Sequence, residues 1–450
     1  MQRRKRPRCE LERGGGLEIV ERKFAFAAKG VSKHQLPRVA TTAGVQSSMY
    51  RLYESVQREA TPLLYQETLK TVDGDPKTWD LYDPTRLVQH VLNTCTDLAE
   101  IYRSKLAEVP APWRIVIGYD EHVPGDKLKI HNLRKSMVLA FNFLELGEDI
   151  LRNDCTWFVP VVLRSSELDD VCAGWSQALK LVLRRMLLHE LGPAKGGIPF
   201  SVHGEACIIY ATVSDIISDG DGHRQGLEWI GAAGLKPCLL HSNVWSKRSR
   251  MDDASEVLIT CHEHDKFVPN DHESLYESAD VIIAARSRFE DGRLASARFK
   301  DLIKVVGLNN TTEGLLADPE LRVELPILNC VVFDWLHTCF QEGSHSIEMY
   351  EMFNACDAVE PEGFRQRFAD YLKTWQLPFH LASKGRGLHR VFDDYRAEKM
   401  ANRRAIVGQA SEQFALYPLL RHFVDVLAPE GVAEAPKASF AAACKVSSAW

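Results

Sequence analysis

Apolar and polar positions change rhythm several times along the chain. Between residues 86 and 106, Leu87, Val91, Cys95, Leu98, Ile101 and Tyr102 recur at helical spacing and predict one buried helical face. This is the main element of a helical preface over 46–110, cut by Pro110 and Pro112. From Arg114 the texture turns to short, intensely apolar runs of β type: Arg114-Ile-Val-Ile-Gly-Tyr119, Met137-Val-Leu-Ala-Phe-Asn-Phe-Leu144 and Trp157-Phe-Val-Pro-Val-Val-Leu163. Each predicts a strand. Pro160 cannot donate to a ladder, so the third strand belongs at a sheet edge or carries a bulge, while the first suits a central place.

A long helix follows, with a start signal at Ser166-Glu-Leu-Asp169. Its apolar face runs through Leu168, Val171, Cys172, Trp175, Leu179, Val182, Leu183, Met186 and Leu187, and Gly192-Pro193 stop it. Next come a fourth strand at Ala206 to Val213, a turn-rich stretch Ser218-Asp-Gly-Asp-Gly222, a short helix through Leu227 and Trp229, and a candidate fifth strand from Lys236 to Val244. The predicted class is α/β, a mixed sheet of order βββαβαβ over 111–244. Residues 245–405 lose the strand pattern and read as a mainly helical insertion. Phe414, Leu416, Leu419, Leu420, Phe423 and Val426 predict a closing helix over 406–427 that covers the sheet, kinked or split at Pro418. Residues 1–45 read as a basic, poorly ordered tail and 428–450 as a disordered one.

A helix between two parallel strands of one sheet makes a right-handed crossover, which limits where the fourth strand returns. If it returns beside the first and parallel to it, Asp120 at the end of strand one and Asp219 and Asp221 just past strand four share one rim, where ligands of α/β sheets gather. Carboxylates so gathered raise a pKa or recruit a divalent cation, and hard oxygen ligands favour Mg²⁺ or Mn²⁺. A pair of such ions activates a water or a 3′-hydroxyl for in-line phosphoryl transfer. The plain alternative is that Asp120 begins a loop and Asp219-Gly-Asp221-Gly is turn chemistry.

Composition narrows the function classes. The 450 residues are 45% hydrophobic and 26% charged, without an apolar run long enough to span a membrane and without a signal-peptide core, so a nuclear or otherwise intracellular, non-secreted protein is expected. Arg3, Arg4, Lys5, Arg6 and Arg8 suit a nuclear localisation signal or a phosphate-binding arm, and equally a solvated tail. The net charge of -6 confines any DNA contact to local patches. These are Lys247 to Arg250, Arg286 to Arg298, and the stretch with Lys384, Arg386, Arg390, Arg403 and Arg404, where Trp375, Phe379, His380 and Tyr395 offer stacking surfaces. Asp393, Asp394 and Glu398 dilute that stretch, and a charged solvated helix face explains it as well. Cys238-x2-His241 and Cys261-x2-His264 make a Cys₂His₂ zinc set, against a buried Cys238 with a hydrogen-bonded His241. Phosphate-loop, dinucleotide, nucleophile-elbow and zincin motifs are absent, and His189-Glu190 reads as surface. Homo-oligomerisation is left open.

Several strings resemble transposase-derived proteins. Gly118-Tyr-Asp-Glu-His-Val-Pro-Gly125, the stretch from Ser218-Asp-Gly-Asp-Gly-His-Arg-Gln-Gly226 to Gly234-Leu-Lys-Pro-Cys-Leu-Leu-His241, and Phe333-Asp-Trp-Leu-His337 are similar to DDE/D transposases with an insertion domain, of the hAT, CACTA and Plavaka/KDZ kind. The resemblance covers roughly 110–427. It implies a ribonuclease-H-like core that cleaves or joins DNA strands through Mg²⁺ or Mn²⁺, with Asp120 and Asp219 as the first two metal ligands and Asp221 a rival to the second. It implies a third acid on the helix after the insertion, at Glu412, with Asp334 as alternate. Two rival readings stand beside it: a domesticated or decayed element that binds DNA or protein without chemistry, motivated by the lack of a DNA-recognition module and the acidic net charge, and a ribonuclease-H-like single-strand exonuclease.

Overall fold

A computed structural model describes residues 61–122, 135–253, 257–260, 264–341, 343–361, 363–376, 388, 394–427 and 431–448. The basic N-terminus and Lys384, Arg386 and Arg390 lie outside the described residues. The chain divides into two compact units, 1–332 and 333–450.

The first unit opens with a hairpin of β1 (Leu64–Lys70) and β2 (Pro76–Tyr82), followed by helices α1 (Pro84–Thr94) and α2 (Thr96–Glu108). Asp83 starts α1: its Oδ1 accepts from the amides of Thr85 and Arg86, and Pro84 at the first helical position has no amide to satisfy. Within the described part of the 46–110 preface, 61–82 is thus mainly a hairpin, and the helices begin at Pro84. In β1 and β2 the polar residues alternate with few apolar ones, so no run of β texture announces them.

The main sheet has the order β5-β4-β3-β8-β9, with β3 (Trp113–His122), β4 (Ser136–Phe143), β5 (Phe158–Arg164), β8 (Ala211–Ser218) and β9 (Val331–Phe333). The β3/β4 and β4/β5 pairs are antiparallel, and β3/β8 is parallel. The expected central place of the first strand and edge place of the third both hold, and Pro160 sits where the β4/β5 register shifts between Leu139 and Phe141. At its start β3 is pinned by Trp113, which meets Tyr102 and Phe143 with all three ring centroids 5.8 Å apart. Such pairs add about 0.5–1.5 kcal/mol each beyond area burial.

Helix α3 (Trp175–Leu187) packs its buried stripe, including Leu179, Val182, Leu183 and Met186, against β8, β1 and α4 (Gly220–Leu227). The long helix expected from Ser166 is interrupted. A single turn, Ser165–Leu168, is separated from α3 by Ala173 (φ 60°) and Gly174 (φ 51°), whose left-handed backbone cannot continue a right-handed helix. The stretch expected as the fourth strand, Ala206 to Val213, divides as well: its first part lies in β7 (Glu205–Ile209), which forms a separate hairpin with the unforeseen β6 (Ile198–Val202), and its last residues open β8, which alone joins the main sheet. Lys236 to Val244 is not a strand. It has only isolated bridges, at His241–Pro269 and Val244–Leu258, and the fifth place in the sheet goes to β9. Helices α5 (His272–Glu290), α6 (Ser296–Val306), α7 (Pro319–Glu324) and α8 (Ile327–Cys330) complete the unit, α8 lying on β8.

The second unit is helical: α9 (Trp335–Phe340), α10 (Ser344–Val359), α11 (Phe364–Thr374), α12 (Asp394–Arg403), α13 (Ala410–Leu427) and α14 (Glu434–Ser448). The stretch expected as a closing helix is α13, with Pro418 inside it, and Leu416, Leu419, Leu420 and Phe423 are buried with Phe340, Phe353, Phe364 and Phe368. Its apolar face is thus spent on the helical core of its own unit. Residues 434–448, expected as a disordered tail, form α14, whose Phe440 joins that core. Among the described residues no helix is long and apolar enough to cross a membrane.

Candidate functional site

The parallel register of β3 and β8 runs from Trp113↔Ala211 to Gly118↔Ile217. One step on, the Ser218 hydroxyl at the end of β8 donates to the Tyr119 carbonyl at 2.8 Å, while β3 does not end at Asp120 as expected but runs on to His122 beside β4. Asp120 and Asp219 are the next residues. Asp219 keeps an extended backbone (φ −73°, ψ 174°), which carries the register to it. Paired positions of adjacent strands lie about 5 Å apart at the backbone and point to one face of the sheet. The structure therefore brings the two expected acids to neighbouring positions at one sheet end.

Their surroundings differ. Asp120 is exposed and its Oδ1 accepts from the Glu121 amide at 2.6 Å. Asp219 is half-buried and starts α4, its Oδ1 accepting from the Gly222 amide at 2.6 Å. The Asp219-Gly-Asp221-Gly string is thus the first turn of a helix and not a loop. Asp221, the rival ligand, points to solvent and pairs with Arg224 on the same helix at 2.8 Å.

Beneath the acids is a packed support. A Cβ on Gly222 would come 1.9 Å from Ser218 Oγ, and one on Gly226 would come 2.4 Å from Tyr119 Oη, so two glycines one turn apart let α4 lie directly on the strand ends. His223 is fully buried between them. Its Nε2 is 3.0 Å from the Val332 carbonyl, which can only accept, so Nε2 carries the proton and Nδ1, 3.4 Å from Tyr119 Oη, is an acceptor. Burial pushes the imidazole below its ordinary range, in keeping with a neutral ring. Burial, with the Asp219 charge nearby, pushes the Tyr119 phenol well up, so it stays protonated and shares its hydrogen between Gly222 O and His223 Nδ1. The Gly118 to Gly226 strings were legible for their acids but not for this support, although two glycines four apart beside a histidine are its signal.

A third carboxylate lies at the same strand ends. Glu121 meets Lys135 Nζ at 2.8 Å and the Ser165 hydroxyl at 2.8 Å. Burial raises its pKa, but the hydrogen bonds from Lys135 and Ser165 outweigh that and hold it below the ordinary range.

The other expected site residues are placed as follows. Glu412 is in the first turn of α13 in the helical unit, accepting from the Gln409 amide at 3.3 Å. Asp334 starts α9, accepting from the Leu336 amide at 2.9 Å, and its second oxygen is 2.5 Å from His337 Nδ1. Cys238 and His241 are together, Sγ to Nδ1 3.3 Å, while the side chains of Cys261 and His264 lie outside the described residues. Arg403 is exposed and Arg404 pairs with Glu351 at 2.8 Å. Among the described residues no group of three or more His, Cys, Asp and Glu is placed to hold a metal ion.

No protein-family model and no curated protein matches the chain. What the rim can do chemically rests on its own donors: Asp120 and Asp219 at adjacent positions, with Glu121 beside them already paired to Lys135, above a packed neutral support.

Proposed function

We propose that the chain carries out divalent-cation-dependent phosphoryl transfer on DNA at the Asp120/Asp219 rim, in the manner of a transposase with a ribonuclease-H-like core. The observation that carries this reading is the adjacent, co-directional pairing of β3 and β8, which delivers acids 99 positions apart in sequence to one sheet end. The donor set fits Mg²⁺ or Mn²⁺, because such ions are held by one or two carboxylates and complete their shell with water and substrate phosphate. When bound, the cation supplies charge neutralisation at the phosphate and lowers the pKa of an attacking hydroxyl or water.

The protein's own part is to hold two anionic groups close together. Ser218 ties the strand ends, Gly222 and Gly226 let α4 close on them, and the α4 amide at Gly222 fixes one oxygen of Asp219. The buried Tyr119–His223 pair adds no charge beneath the site, so the field at the rim stays negative and favours a cation. Incubation of the full chain with supercoiled plasmid and Mg²⁺ or Mn²⁺ tests the reading. Wild type nicks the plasmid, Asp120→Ala and Asp219→Ala lose at least about a hundredfold, and equal nicking by all three overturns it. Glu412→Ala and Asp334→Ala in the same assay test the third acid.

A second reading is favoured by one observation: no described triad of ligating groups surrounds the rim. It is a transposase-type fold that binds DNA or protein without catalysis. Plasmid binding that survives Asp120→Ala and is undiminished by chelator, together with absent nicking, identifies it.

A further inference from the structure

The acidic rim lies at the start of α4, and a separate arrangement, independent of the phosphoryl-transfer reading, lies at its other end. Glu228 follows α4 in the left-handed conformation (φ 52°), and its backbone oxygen accepts from the Asn309 amide at 2.8 Å while the Ile230 amide donates to Gly307 O at 3.0 Å. These bonds lay the loop 309–317 across the end of the helix. Further along the loop, the Leu315 amide donates to Ser176 Oγ on α3 at 2.9 Å. Between these ties sits the Glu228 carboxyl. A Cβ on Gly314 would come 1.8 Å from Glu228 Oε2, so the loop backbone lies directly against that oxygen.

An ionised carboxyl is poorly served in this place. Its donors are the Thr311 amide at 3.3 Å and Asn310 Nδ2 at 3.4 Å, both long beside the about 2.7–2.9 Å of a charge-assisted bond. Arg286 on α5 favours ionisation by its charge, but its Nη2 is spent on Asn309 O at 3.1 Å and Asn309 Oδ1 at 2.7 Å, and its Nε on Asn310 O at 3.1 Å. The other charges on the elements packed here are paired elsewhere: Glu313 of the loop with Lys70 and Lys180, Arg184 of α3 with Asp318 and Glu320, and Arg224 of α4 with Asp221. A protonated carboxyl fits better. Asn310 is fully buried, its Oδ1 and the Thr311 Oγ1 have no hydrogen-bond partner among the described residues, and a carboxyl proton adds a donor beside these acceptors. Burial accordingly outweighs Arg286 and pushes the carboxyl up to about 7.

We propose that Glu228 and the loop 309–317 form a proton-operated latch: the protonated carboxyl holds the loop on α4, and its ionisation lets the loop lift so that water reaches the charge. In the lifted state the carboxyl is hydrated and ionises in its ordinary range, so the closed state binds more protons between pH 4.5 and about 7. Closure is fully supported below pH 4.5 and weakens as pH rises through about 7.

Amide hydrogen exchange of the full chain, read by mass spectrometry from about pH 5.5 to about pH 8.5 and corrected for the intrinsic pH dependence of exchange, tests the latch. Protection of peptides covering 309–317 is expected to fall at least about tenfold across that range in wild type and to stay level in Glu228→Gln, which cannot ionise. Loop protection should lie below that of β3 at each pH, because lifting does not require unfolding. In Gly314→Ala the new methyl takes the place of Oε2, so the loop should show low protection at both ends of the range. A level wild-type profile, a fall that persists in Glu228→Gln, or loop protection equal to that of β3 overturns the proposal. So does a Gly314→Ala loop as protected as wild type at the acid end, a result that decides the matter even where Glu228→Gln fails to fold.

Discussion

At the scale of single residues, the rim depends on atoms that are not there. Gly226 faces Tyr119 Oη and Leu179 so closely that any Cβ must displace a buried ring. Gly226→Ala is therefore expected to destabilise the fold by about 1–3 kcal/mol. Tyr119→Phe removes the crowding oxygen and should recover part of that loss, a non-additivity that urea denaturation of the two single variants and the double variant would show. Glu228, at the end of α4, carries a different cost. Its residue is left-handed (φ 52°), its carboxylate accepts from the Thr311 amide at 3.3 Å and from Asn310 Nδ2 at 3.4 Å, and burial pushes its pKa from 4.5 to about 7. The folded carboxyl thus keeps its proton between pH 4.5 and about 7 where the unfolded one has lost it. The folded state binds more protons in that window, so this group's contribution is fully present below pH 4.5 and is lost as pH rises through about 7. Glu228→Gln should be more stable than wild type above pH 7, by up to about 3 kcal/mol, with the gap closing towards pH 4.5. Thermal melts across pH read it directly. Neither residue was legible from the chain alone, because the cost at each comes from a partner far along the sequence.

Elements were legible in proportion to how much apolar surface they bury. The runs that became β3, β4 and β5 are buried on one or both faces and stood out, and Pro160 alone told which of them lies at the edge. Strand β9 has three residues and one buried side chain, too little for any period, and the fifth place in the sheet was assigned to the apolar loop from Lys236 to Val244 instead. That loop is apolar because it packs under α5 and α6 and not because it pairs, as Leu239 shows by being buried without a ladder. Helix α1 gives the clearest case of an element held at one point. Asp83 caps it and also receives Arg185 Nε at 2.8 Å, with the Arg185 guanidinium 4.7 Å from the Tyr65 ring centroid. The carboxylate is 1% exposed and the arginine 10%, so removing one partner strands a buried charge. Asp83→Ala is expected to cost about 3–5 kcal/mol, far above the loss of a cap alone, whereas Arg185→Lys, which keeps the charge, costs less. Guanidinium denaturation followed by circular dichroism checks both.

For the whole molecule, periodicity revealed helical faces but not which surface covers them. The stretch 406–427 has an apolar stripe equally suited to a sheet or to other helices, and the structure gives it to the aromatic core of Phe340, Phe353, Phe364, Phe368 and Phe423. The compact division falls between Val332 and Phe333, inside the stretch 245–405 that was expected as one helical insertion. The β3–β8 adjacency, by contrast, is one of the few places that the crossover rule leaves for a returning strand, and the structure takes it. On that adjacency rests the proposal that Asp120 and Asp219 share one divalent cation. Calorimetric titration of Mn²⁺ into the full chain, beside Asp120→Asn and Asp219→Asn, tests it most directly, because asparagine keeps the size of each side chain and the cap on α4 while removing one charge. The account predicts one saturable Mn²⁺ site in wild type that either substitution alone weakens by at least about tenfold. Binding equal in all three proteins, or weakened by only one of the two substitutions, would contradict it.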